Sequence, residues 1–202
     1  MGRAARAVTL PRLLVLTDRT QTGERDLVAV VRAAVAGGAC GVVLREKDLA
    51  AEARTELAAR LRDVVTPAGG ILIVASAAGL GDGVHLSADE PLPTPPPAFI
   101  GRSCHGPAAL ARAAAEGCSY ATLSPIFAST SKPGYGPPLG VDALRDPPLP
   151  VFALGGVTTE RVTGCVDAGA SGVAVMGGVM RATDPTAAVA ALLESLRVRS
   201  RR

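Results

Sequence analysis

The chain contains 19 arginines but only two lysines, and both lysines, Lys47 and Lys132, stand just beyond the ends of short apolar runs. Arginine is a planar fork and lysine a compact point charge, so a chain that writes arginine nearly everywhere else has a use for an ammonium at these two places. Other reactive side chains share that placement: Asp18 and Arg19, Arg45 and Glu46, Ser76, His85 with Asp89 and Glu90, and Ser103, Cys104 and His105. His85, inside Gly83-Val84-His85-Leu86, reads equally as a satisfied buried histidine or a functional one. His105 lies past its apolar run and is expected to line a site. Two glycine pairs, Gly155-Gly156 and Gly177-Gly178, follow the last two apolar runs. Bare backbone N–H groups there suit a phosphate. The hydroxyl-rich loop from Ser124 to Gly136, which carries Thr130 and Lys132, reads as an anion-binding element.

The elements that must position these groups alternate along the chain. Strands are predicted at Leu13–Thr17, Gly41–Leu44, Ile71–Ala75, Gly83–Leu86, Ala98–Ser103, Tyr120–Ser124, Pro150–Leu154 and Gly172–Met176. Helices are predicted at Asp26–Ala36, Ala51–Val65, Pro107–Glu116, Thr158–Ala168 and Asp184–Leu196, with a short one at Val141–Leu144. Such alternation implies a parallel sheet, and eight units in this length favour a single compact α/β barrel of the (β/α)8 kind. Few residues separate strands three and four, and the proline-rich stretch 91–97 separates four and five, so the helices there are expected to be reduced. In this architecture ligands sit at the C-terminal ends of the strands, where the reactive groups fall. Residues 1–12 read as an N-terminal extension, 13–196 as the barrel, and 197–202 as a basic tail.

Composition narrows the function. With 21 basic and 18 acidic side chains the net charge is +3, and four arginines at 197–202 account for more than that excess. The remainder offers no basic face, and aromatics make up 2% of the chain with no tryptophan, which argues against nucleic acid as a partner and predicts aliphatic packing. No apolar run approaches the length of a membrane span or a signal peptide, so a cytoplasmic protein is expected, without a membrane partner. The four cysteines show no metal-ligand spacing and are expected to be reduced and mostly buried.

Six segments carry a resemblance when taken in order. Leu44-Arg45-Glu46-Lys47, Gly83-Val84-His85-Leu86, Ile100 to His105, Ser124-Pro125-Ile126-Phe127 with Thr130 to Gly134, Ala153 to Val157, and Gly172 to Met176 together resemble the thiamine phosphate synthase/TenI family. The resemblance spans about residues 13–196 and implies a TIM barrel binding thiazole phosphate, a small-molecule phosphate substrate, with a homo-oligomer possible as in related barrels. It implies that Arg45, Lys47 and Ser103 bind diphosphate. Thr130, Lys132, Gly155, Gly156, Gly177 and Gly178 would hold the thiazole phosphate, with Lys132 also supporting a leaving group. The chain departs from the family's pattern at Val43, Ala75 and Ser76, in place of a glutamine and an Asn-Asp pair, and at Pro125, in place of a tautomerase histidine. The leading expectation is therefore a TenI-like thiazole tautomerase needing no cofactor, with His105 or Cys104 as substitute proton carrier. The first alternative is a thiamine phosphate synthase using Mg2+ held by Asp89 or Glu90; the second is a non-catalytic binder of thiazole or thiamine phosphate.

Overall fold

The computed structural model describes residues 10–128 and 137–197. Eight parallel strands close into a barrel in sequence order: β1 Leu13–Leu16, β2 Gly41–Leu44, β3 Ile71–Ala75, β4 Gly83–Leu86, β5 Ile100–Cys104, β6 Tyr120–Leu123, β7 Val151–Leu154 and β8 Gly172–Val175, with β8 pairing back onto β1. The helices are α1 Leu27–Ala36, α2 Ala51–Val65, α3 Pro107–Ala115, α4 Thr159–Asp167, the four-residue α5 Gly177–Met180, and α6 Pro185–Arg197. Asp26 and Asp184, expected as first helical residues, instead stand just outside and accept backbone N–H bonds from Ala29 and Ala187, as short carboxylates do at helix starts. The predicted helix at Val141–Leu144 is a 3-10 turn, and a second such turn covers Arg19–Gln21.

The predicted reductions are complete losses. Residues 76–82, after β3, and 87–99, after β4, contain no helix. The fifth strand starts two residues later than expected because Ala98 and Phe99 precede the pairing of Val84 with Ile100.

Side chains alternate across the barrel wall. Leu13, Val15, Val42, Leu44, Leu72 and Val74 point outward into the layer shared with the helices, while Leu14, Leu16, Val43, Ile73, Phe99, Tyr120, Phe152 and Ala174 form a separate interior cluster. That interior corrects the expectation of purely aliphatic packing. Three of the chain's five Phe and Tyr residues pack there, Tyr120 lying 5.5 Å from both Phe99, on which it stacks, and Phe152, which it meets edge-on. Scarce aromatics are concentrated where a narrow barrel needs bulk. Arg12, assigned to the N-terminal extension, accepts the amide of Val173 at 2.9 Å through its carbonyl and donates to Leu196 O at 2.7 Å. Among the described residues, no helix is long and apolar enough to cross a membrane.

Candidate active site

The C-terminal rim of the barrel gathers most of the groups named from sequence. Arg45 leaves β2 with its amide bonded to Thr17 Oγ1 at 2.9 Å and its guanidinium crossing to Met176 Sδ beside β8. Two residues on, Lys47 turns the other way, and its Nζ donates to Ser87 Oγ at 2.7 Å and lies 3.9 Å from Glu90 Oε2. Glu90 Oε2 accepts from Ser76 Oγ at 2.5 Å and from the amide and hydroxyl of Ser87, both at 3.0 Å. Ser76 reaches it from a left-handed backbone conformation, φ 53°, which is uncommon for a serine and recurs at functional sites.

Partial burial favours protonation of Glu90, but its bonds from Ser76 and Ser87 and the Lys47 charge outweigh that and hold its pKa below the ordinary value. Burial lowers that of Lys47; Glu90 opposes this, while Arg45 and Arg54 add to it. Arg54 had no motif to flag it. From α2 it reaches over the end of β3 to donate to Ala75 O, adding a cation on the side of the rim that holds Lys47 and Glu90. Its place three, four and seven residues before Leu57, Ala58 and Leu61, on the apolar face of the helix, was the signal that sequence offered.

Glu46, inside the same motif, serves structure instead. It is buried and accepts the amide of Arg19 at 3.1 Å and its guanidinium at 2.9 Å. Asp89 and Glu90 diverge: Asp89 is exposed and pairs with Arg112 on α3 at 3.3 Å, so that of these two carboxylates it is Glu90 that lies beside Lys47.

His85 faces the barrel interior, and both ring nitrogens are engaged, Nδ1 with Tyr120 OH at 2.9 Å and Nε2 with Ser103 Oγ at 3.0 Å. Burial raises the pKa of Tyr120, so the phenol keeps its proton; donating it to Nδ1 satisfies that buried hydroxyl and goes with the tautomer in which Nε2–H donates to Ser103. Ser103 thus joins the buried network to the rim. The pKa of His85 is pushed down to about 3, by burial first and then by Arg45 and Lys47. His85 is therefore neutral when folded but gains a proton in the unfolded chain below its ordinary value of 6.5. Its contribution to stability is whole above that pH and drains away as pH falls towards 3, by about 1.4 kcal/mol per pH unit. Thermal melts from pH 7 to 4 should show this decline, and His85→Gln should flatten it; an equally steep decline in the variant would refute the assignment.

His105 is exposed at the rim and its Nδ1–H donates to Ser124 O at 2.8 Å. Cys104 corrects an expectation. It points outward from β5, is fully buried, and burial pushes its thiol up to about 11, so it cannot carry protons for the rim near neutrality.

The glycine pairs differ. A Cβ on Gly156 would sit 2.4 Å from Ala128 O and one on Gly155 would sit 2.9 Å from Pro125 Cα, and both residues have positive φ. This pair lets the chain after β6 pass close over β7. Gly178 is exposed to open space at the start of α5, while Gly177 is covered by the guanidinium of Arg181, which reaches back to Gln21 Oε1. Arg181, a cation beside the expected phosphate loop, was not singled out from sequence because it lies beyond the glycines. Thr130 and Lys132 lie outside the described residues.

Residues 13–179 match the family profile described as Thiamine monophosphate synthase. The chain belongs to the thiamine-phosphate synthase/TenI family. Among the relatives of this family, the thiamine-phosphate synthase of Methanoculleus marisnigri is 40% identical over 91% of this chain and 94% of its own length. That of Roseiflexus castenholzii is 37% identical over 89% of this chain and 86% of its own. A solved family structure, the thiamine phosphate pyrophosphorylase from Pyrococcus furiosus, superposes with a TM-score of 0.81 at 25% identity, covering 93% of this chain and 96% of that one. Family membership accounts for a phosphate-binding barrel with its reactive groups at this rim.

Proposed function

We propose that this protein is a thiamine-phosphate synthase, joining a hydroxymethylpyrimidine diphosphate to thiazole phosphate with release of pyrophosphate. The observation that carries this is the placing of Lys47 and Arg54 beside the carboxylate Glu90, with Arg45 in electrostatic reach of Lys47. An excess of positive charge at one end of the rim suits a diphosphate, whereas an isomerisation of a monophosphate has no need of it. The names of the relatives favour the same reading over the tautomerase, and the outward placement of Cys104 removes one of that reaction's two proton carriers.

In the reaction the bond between the pyrimidine methylene carbon and the diphosphate oxygen breaks, its electron pair leaves with pyrophosphate, and the thiazole nitrogen bonds to that carbon. Negative charge grows on the departing oxygens. Arg45 and Lys47 are fixed before the reaction begins, so their stabilisation of that charge requires no reorganisation. Ser103, oriented by His85, presents a further hydroxyl at the end of β5.

The family also implies Mg2+. Among the described residues no three His, Cys, Asp or Glu side chains cluster, yet Glu90 with the hydroxyls of Ser76 and Ser87 forms an all-oxygen donor set. That fits an ion which commonly uses one or two carboxylates and takes its other ligands from water and substrate phosphates. Glu90 and Ser76 would hold it, and when bound it would supply further positive charge to the diphosphate.

Purified protein given both substrates, with and without Mg2+, should release pyrophosphate only when both are present. Saturable binding of thiazole phosphate with no release under either condition would overturn the synthase reading and leave the tautomerase or the silent binder.

A further inference from the structure

Arg102 is only 1% exposed and heads the fully buried side chains by volume, yet the proposed reaction makes no use of it. It sits on the outward face of β5, between Gly101 and Ser103, which face the interior. Outward positions on a β/α barrel are normally covered by the flanking helices, but no helix follows β4, and the chain from 87 to 99 crosses this side without one.

The guanidinium fastens that loop. Its Nη1 donates to the carbonyls of Ser87 at 3.0 Å, Ala88 at 3.1 Å and Glu90 at 2.8 Å. Its Nη2 pairs at 2.7 Å with Glu116, the residue closing α3. A buried cation must be neutralised, and here one carboxylate and three carbonyl dipoles share the task. Two of those carbonyls belong to Ser87 and Glu90, whose other groups build the diphosphate end of the rim. Glu90 is held through its carbonyl while its carboxylate turns to Ser76 and Ser87, and Ser87 in turn receives Lys47.

We propose that Arg102 is a positioning residue: it replaces the missing helix as the anchor of the β4–β5 loop and so sets Glu90, and through Ser87 also Lys47, for the diphosphate. The ligand in this statement rests on the proposed function; the anchoring does not.

The test pairs Arg102→Met, which keeps length and loses every donor, with Arg102→Lys, which keeps a charge for the carbonyls but not the second arm to Glu116. Inorganic pyrophosphate and thiazole phosphate are titrated separately by calorimetry with Mg2+ present, and exchange of the Ser87 amide is followed by NMR without ligand. Arg102→Met is expected to weaken pyrophosphate binding at least tenfold, to change thiazole phosphate binding less than twofold, and to speed Ser87 exchange at least tenfold. Arg102→Lys is expected to fall between it and the parent protein in both pyrophosphate binding and exchange. If Arg102→Met does not fold, a threefold or greater loss confined to pyrophosphate in Arg102→Lys, with faster Ser87 exchange, supports the proposal. Equal weakening of both ligands, or an unchanged Ser87 exchange rate with only a lower melting temperature, overturns it and leaves Arg102 a general structural residue. If the parent protein binds neither ligand, the proposed function fails, and Ser87 exchange alone still decides the anchoring.

Discussion

Lys47→Ala is expected to lower kcat/KM for thiamine phosphate formation by about 10^2 to 10^3 while leaving the fold nearly unchanged. A prepositioned donor aimed at charge developing in a transition state typically contributes about 2.7–4 kcal/mol, which is that range of rate. The fold is spared because the side chain is 44% exposed and Glu90 keeps its three bonds from Ser76 and Ser87. Arginine is not a substitute. Its fork is larger and planar, and Lys47 meets a single hydroxyl at 2.7 Å, so Lys47→Arg should recover little of the loss. Because burial and the neighbouring Arg45 and Arg54 lower the pKa of Lys47, activity that depends on its ammonium should fall on the alkaline side at a pH below that of an ordinary lysine. Steady-state kinetics on Lys47→Ala within about threefold of the parent would show that this ammonium does not face the leaving group.

The same rim shows how far residue type and spacing reach. Lys47 stood out because its kind is so rare in the chain, and a loop immediately after a strand can only lie at the mouth of a parallel barrel. The strands were legible because runs such as Ile71–Ala75, buried on both faces, are apolar without alternation. Relations between distant loops were not legible. Arg54 enters the site only because residues 76–82 form no helix to shut it out, and Asp89 leaves it because Arg112 on α3 pulls the carboxylate outward. His85 could not be placed from its motif, since a one-residue change of register in a strand exchanges interior for exterior. Its partner Tyr120 is 35 residues away, and only barrel closure brings them together.

That closure leaves no room for a side chain at Gly101, and Gly101→Ala is expected to have a large structural effect. A Cβ at Gly101 would lie 2.1 Å from Tyr120 Cζ and 2.4 Å from its hydroxyl oxygen. The ring has nowhere to retreat. It is fully buried, with Phe99 and Phe152 each 5.5 Å away and its hydroxyl tied to His85 at 2.9 Å. Overpacking a tight core costs about 1–3 kcal/mol, and freeing the phenol from His85 adds roughly 1–3 kcal/mol for an unsatisfied buried group. A loss of about 3 kcal/mol or more corresponds to a fall of roughly 10 °C in melting temperature for a domain of this size. The mechanism predicts non-additivity: Tyr120→Leu, harmful alone, should make room for the new methyl, so the double variant should be more stable than the sum of the two losses implies. Additive losses in that cycle would show that the ring does not fill the space above Gly101. Displacing Tyr120 also releases Nδ1 of His85, so the surviving activity of Gly101→Ala should fall with the orientation of Ser103, joining the packing of the barrel's interior to the chemistry at its rim.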